Sequence, residues 1–208
     1  MAKTDVWPVI HGERKALAAD LDGVSEAAWS TPSLCSDWTV QDVLAHMTAT
    51  AKISGASFLP KLIGSGFSLK NLQAKDIRAQ KGGSPAETLE GFKGELDSTG
   101  RPPGPIETML GEVLVHSQDI RRPLGISHTY PSDALVQAAD FFKGSNLIIG
   151  TKRRIAGVSL QATDADWRHG SGPAASGPML SLLLAMTGRK AALDDLSGEG
   201  VATLRSRP

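Results

Sequence analysis

The chain has 208 residues, with 22 basic and 22 acidic side chains, five histidines and one cysteine. Apolar residues make up 40%, with 22 glycines besides, which is the composition of a folded chain rather than a disordered one. Zero net charge excludes a nucleic-acid binder that works mainly by charge, and one cysteine excludes an intramolecular disulfide framework or an all-cysteine zinc site. The longest uncharged apolar stretch, Met179 to Met186, is far shorter than the roughly 20 residues that span a bilayer. The opening residues carry no apolar run of signal-peptide length. The expectation is a cytoplasmic protein with neither a nucleic-acid nor a membrane partner.

In chain order, the pattern predicts a first helix over Ile10 to Leu21, then a Ser/Thr/Pro/Trp-rich loop over 25–38 flanked by Trp29 and Trp38. Thr39 is an N-cap with Asp42 closing an acidic capping box. Val40, Val43, Leu44 and Met47 follow at helical spacing, giving a second helix to about Phe58. Residues 60–83 read as a connection with a short helix at 69–80. Ser84-Pro85-Ala86-Glu87 starts a third helix, which ends near Gly100. After the Pro/Gly break at 101–105, a fourth helix runs from Ile106 to Arg122 and a fifth from Ser132 to Ile149. Beyond Arg154 the pattern changes. Val158, Leu160 and Ala162 alternate as in a strand, Gly170 to Gly172 form a turn, and Met179 to Met186 form an apolar helix. The reading is a mainly α chain. An up-and-down four-helix bundle occupies residues 1–150 and a small α+β domain residues 151–208.

The fourth helix places Glu112, His116 and Asp119 within roughly 60° of arc, beside the apolar positions Ile106, Met109, Val113 and Ile120. A Glu and a His one turn apart converge well enough to share a divalent metal, and Asp119 is spaced to orient the imidazole of His116. His46, at the edge of the second helix's apolar stripe, is the best candidate for a third ligand. The bland alternatives are a surface ion pair for Glu112 and His116 and a satisfied core histidine for His46. Cys35 has no base near it in sequence and reads as a small buried thiol. Trp29 and Trp38 read as pins for the loop, and His11, His128 and His169 have no partner at a telling spacing.

The string from Trp29 through Cys35, Trp38 and Asp42 to His46 resembles the N-terminal signature of the mycothiol-dependent maleylpyruvate isomerase family, within the DinB/YfiT-like metal-binding bundles. Gly111 to Gly125, with Glu112, His116 and Asp119, resembles its second signature. Ala162 to Trp167, then Gly-Ser-Gly, then the helix ending at Gly188-Arg189, is similar to its C-terminal domain. One departure is Asp37, where the family often has Gly before the Trp. The resemblance implies that His46, Glu112 and His116 hold a divalent metal, zinc in the characterised isomerase, and that Arg189 binds an anionic group.

The implied function is a metal-dependent enzyme that uses a low-molecular-weight thiol of the mycothiol type. It would isomerise a small anionic electrophile or transfer the thiol to it. A metal-dependent hydrolase on the same site, and a non-catalytic protein stabilised by its metal, are the alternatives. The implied partners are a small thiol and a small anion. A homodimer is allowed, with no apolar stripe assignable to it.

Overall fold

The structure is a computed structural model that describes residues 5–35, 37–146 and 149–208. It divides into two compact units, Met1–His128 and Thr129–Pro208. No helix among the described residues is long and apolar enough to cross a membrane.

The first unit contains α1 (Trp7–Leu21), α2 (Val40–Lys52), α3 (Gly55–Gly64), α4 (Leu69–Gln80), α5 (Pro85–Lys93) and α6 (Glu107–Arg121). Four of these form the bundle. α6 packs on both α1 and α2, and α5 packs on both as well. The order around the bundle is therefore α1, α6, α2, α5, so α1 lies across the core from α2 and α5 across from α6, while α2 and α5 are neighbours. The long connections 22–39 and 94–106 permit that crossover. α6 is the most deeply set helix. It buries Met109, Leu110, Val113, Leu114 and Ile120 against Ile10, Leu17 and Leu21 of α1 and Val40, Val43, Leu44 and Met47 of α2.

The predicted caps form. Thr39 Oγ1 accepts from the Asp42 backbone N–H, and the Asp42 carboxylate accepts from the Thr39 N–H at 3.0 Å. Ser84 caps α5 with Pro85 in its first turn, but the Glu87 carboxylate reaches one residue further back, to the Gly83 N–H at 2.7 Å. Two boundaries differ from expectation. The second helix stops at Lys52 instead of Phe58, because Ser54 and Ser57 form a reciprocal capping box that starts α3. The third stops at Lys93 with Gly94 as its C-cap, well short of Gly100. The predicted short helix at 69–80 is α4, which packs on the outer side of α2.

The second unit contains α7 (Ser132–Lys143), α8 (Thr151–Arg154), β1 (Ser159–Ala162), β2 (Arg168–His169), β3 (Ala174–Gly177), α9 (Met179–Met186) and α10 (Gly200–Arg205). The sheet order is β2-β1-β3, antiparallel on one side and parallel on the other, with Leu160 opposite both His169 and Ala175. The sequence pattern places α7 with the bundle; in the structure it packs on α9, which buries Leu182, Leu183 and Leu184, within the unit Thr129–Pro208. α7 ends at Lys143, capped by Gly144; its expected extension to Ile149 crosses residues 147 and 148, which lie outside the described residues.

Candidate functional site

His46 projects from the middle of α2, and Glu112 and His116 from successive turns of α6. Because α2 packs on α6, the two imidazoles meet, with ring centroids 5.0 Å apart in an edge-on arrangement. His116 donates from Nδ1 to Asp119 Oδ2 at 2.8 Å, and Asp119 is fully buried. With Nδ1 carrying the proton, Nε2 presents its lone pair away from Asp119, as a metal-binding imidazole requires.

Glu112 is the anomaly. Both of its carboxylate oxygens are buried and neither accepts a hydrogen bond. Buried carboxylates without a donor or cation are costly, so native structures rarely keep them. Burial pushes the Glu112 carboxyl above its ordinary range, while the neighbouring His116 and the charge of Arg14 pull it back. Arg14 comes from α1 and is itself 1% exposed. Its Nη1 donates to the Glu95 and Ser98 carbonyls at 3.2 and 2.7 Å, and its buried Nη2 has no partner. A carboxylate that accepts no bond, beside an imidazole with a free lone pair, fits a site built to receive a cation.

The 31–39 loop closes over this region. Val40 N–H bonds to the Thr31 carbonyl and Ser33 N–H to the Trp38 carbonyl, both at 2.9 Å. Leu34 N–H reaches the Asp119 carbonyl at 3.3 Å, which ties the loop to α6. Trp38 then lies against both imidazoles, 4.9 Å from the His46 ring and 6.2 Å from the His116 ring. Asp37 takes φ 70, the left-handed conformation in which Gly is easiest and Asp tolerated, so its backbone does what a glycine would do there. Cys35 is half-buried, and its sulfur lies within 4.8 Å of ligand atoms of His116 and Asp119.

Arg14 is the neighbour of the site that the sequence reading does not name, although it carries a readable signal, since it interrupts the apolar stripe of Ile10, Leu17 and Leu21. Cys35 and Trp38 are read there as a buried thiol and a loop pin; their approach to the imidazoles depends on how the loop docks. Trp29, 3% exposed, is the pin it was expected to be. The other histidines sit elsewhere. His11 stacks on Trp7 at 5.5 Å, His128 Nε2 lies 2.8 Å from Glu13 Oε2, and His169 is in β2.

Arg189 belongs to the second unit. It follows a Schellman turn at the end of α9, where Gly188 N–H bonds to the Ala185 carbonyl and Arg189 N–H to the Leu184 carbonyl. Gly188 has φ +94, so the Gly of this Gly-Arg pair is required by the turn. Arg189 Nη1 donates to the Thr187 carbonyl at 2.8 Å.

The bundle thus sets the His46 and His116 rings against each other on adjacent helices, with the buried Glu112 carboxylate one turn before His116 on α6 and the Cys35, His116 and Asp119 ligand atoms within 4.8 Å of one another. Residues 10–99 match the family model described as the mycothiol maleylpyruvate isomerase N-terminal domain. Two solved structures share the fold: a mycothiol-dependent maleylpyruvate isomerase, at 17% identity, and a histidine-to-alanine mutant of a mycothiol-dependent maleylpyruvate isomerase, at 16%. Each has a TM-score of 0.65, with 93% of this chain and 91% of the other covered. No curated protein matches the chain in sequence.

Proposed function

We propose that the chain is a metal-dependent enzyme that uses a small thiol of the mycothiol type on a small anionic electrophile, as an isomerase or a thiol transferase. The observation that carries this reading is the Glu112 carboxylate, buried and without a hydrogen bond beside His116. His46, Glu112 and His116 would hold a divalent metal, zinc by family resemblance, leaving a coordination position open. When bound, the metal would favour the thiolate of the thiol, whose reversible addition permits rotation about a double bond. The chain's own groups do the rest. Asp119 holds His116 in one tautomer, Trp38 shields the imidazoles on the loop side, and Arg14 offsets the charge of Glu112. Arg189 is the proposed partner for the substrate's anionic group.

Two measurements test this. Purified protein should contain about one divalent metal per chain, and His46→Ala should lose it. Turnover of a maleylpyruvate-like substrate should require added thiol and fall on Arg189→Ala; equal metal content in both proteins would overturn the ligand set. The proximity of Cys35 and Asp119 to His116 favours a second reading, a closed metal site that only ties helices together. That reading expects a large loss of thermal stability on chelation and no thiol-dependent turnover.

A further inference from the structure

The segment 52–81 was left without a role by the sequence, and the centre described above does not use it. In a chain of zero net charge it carries six basic residues (Lys52, Lys61, Lys70, Lys75, Arg78 and Lys81) and one acid, Asp76. It also holds the exposed large apolar side chains found among the described residues: Leu59 at 56% exposure, Ile63 at 53%, Phe67 at 71% and Leu69 at 54%. Ile63, Phe67 and Leu69 lie at the turn that joins α3 to α4, and Leu59 lies one helical turn earlier on α3. α3 buries none of its own residues, although its sequence, GASFLPKLIG, is mostly apolar. α4, by contrast, is anchored to α2 and buries Leu72 and Ile77.

The turn has a second unusual feature. Phe67 is held at φ 59, directly after Gly66 at φ 66. A bulky side chain in the left-handed region is an outlier that costs free energy and persists where the surroundings or a function enforce it. Here the backbone is fixed by Gly66 N–H to the Ile63 carbonyl and Phe67 N–H to the Leu62 carbonyl, both at 2.9 Å. The result is a hydrogen-bonded tip that presents an aromatic ring to solvent. Around it, Lys61 pairs with Asp76 and Lys75 bonds to the Gly64 carbonyl, while Lys70 and Arg78 are exposed and form no ion pair.

We infer that the α3–α4 hairpin is a docking surface for an anionic lipid bilayer, with Leu59, Ile63, Phe67 and Leu69 entering the acyl boundary and the surrounding lysines and Arg78 meeting the headgroups. Lys81 is paired with Asp42 and Lys52 is bonded to Gln80, so Lys70, Lys75 and Arg78 along α4 carry the available positive charge, and exposed apolar side chains beside such a basic excess suit an interface that is apolar below and negative above. A second copy of the chain is the poorer occupant, because a symmetric contact would set two such basic surfaces face to face. The expectation of no membrane partner rests on the lack of a spanning run, which does not report on one basic hairpin. This surface is independent of the metal and thiol chemistry proposed above.

The test is sedimentation of the full chain with vesicles of phosphatidylcholine containing about 30 mol % phosphatidylglycerol, and with phosphatidylcholine alone. Binding should be at least about tenfold stronger to the anionic vesicles and weaken in high salt. Phe67→Ser should weaken it about tenfold, and Lys70→Glu with Arg78→Glu by at least as much. These side chains are exposed, so the circular dichroism spectrum and melting temperature should not change. A Phe67→Trp variant provides a second readout, since brominated acyl chains should quench its added emission. Absence of binding, equal binding to neutral vesicles or indifference to Phe67→Ser would overturn the inference. So would a dimer in light scattering that Phe67→Ser dissolves, which would assign the surface to a second copy.

Discussion

His116 and Asp119 share one turn of α6 and a 2.8 Å hydrogen bond, and the carbonyl of the same Asp119 receives the loop that carries Trp38. One residue thus sets both the tautomer of an imidazole and the position of the loop over it. Asp119→Asn keeps the backbone anchor and loses the charged acceptor. We expect metal affinity to fall by about 10- to 100-fold, read by competition with a chromophoric chelator. Unchanged affinity would limit Asp119 to a role in the fold.

Glu112 predicts a pH effect of definite sign. Its carboxyl lies above the ordinary value in the folded chain, mainly through burial. The unfolded chain therefore ionises first, and the metal-free fold loses stability as pH rises from about 4.5 through the folded value. Metal-stripped Glu112→Gln should lack this loss and be more stable than the metal-stripped parent at neutral pH, with the gap closing toward acid. Added metal should reverse the order, raising the melting temperature of the parent alone. Denaturant melts at several pH values, with and without metal, provide the check.

The bundle and most of its ends were legible because they rest on local signals. Thr39 with Asp42 and Ser84 with Pro85 announce helix starts, and the helix at 69–80 follows its own apolar spacing. The α2–α3 break was hidden, since Ser54 and Ser57 cap each other in a stretch that still reads as helical. The site was half legible. The Glu112–His116–Asp119 spacing lies within one helix, so periodicity brings those residues to one face. The meeting of His46 with His116, and the approach of Arg14, Cys35 and Trp38, depend on packing between helices. The packing of α7 on α9 has the same origin: its apolar face is visible in sequence, while the choice of α9 as its partner is not.

Asp42 makes the opposite pH prediction. Burial would raise its carboxyl, but hydrogen bonds from Lys81 and from the Thr39 backbone and hydroxyl outweigh that and hold it below the ordinary range. Its contribution is therefore present above the unfolded value of about 4 and lost as pH falls through the lower folded value. Asp42→Asn should cost about 1 kcal/mol at neutral pH, and the difference from the parent should vanish in strong acid. Urea titrations at the two pH values would show it.

Gly100 tests the crossover itself. A Cβ there would stand 2.0 Å from the Ala51 carbonyl oxygen and 3.0 Å from that of Ile53, both backbone atoms at the end of α2. Gly100→Ala should destabilise the first unit by about 1–3 kcal/mol. Gly91→Ala, where a Cβ meets nothing, is the control and should be neutral or slightly stabilising.

The order of helices around the bundle also bears on how the chain folds. α6 and the segment after it are docked by contacts that bridge most of the first unit's length: Arg121 of α6 to Asp20 across 101 positions, and His128 beyond it to Glu13 across 115. Loop-closure entropy must be met before such contacts form, so this bundle should fold more slowly than one whose neighbours are consecutive in sequence. The imidazole pair comes together only when that last long loop closes. A ligand that binds there would act as a brake on unfolding, lengthening the lifetime of the folded chain more than it speeds folding.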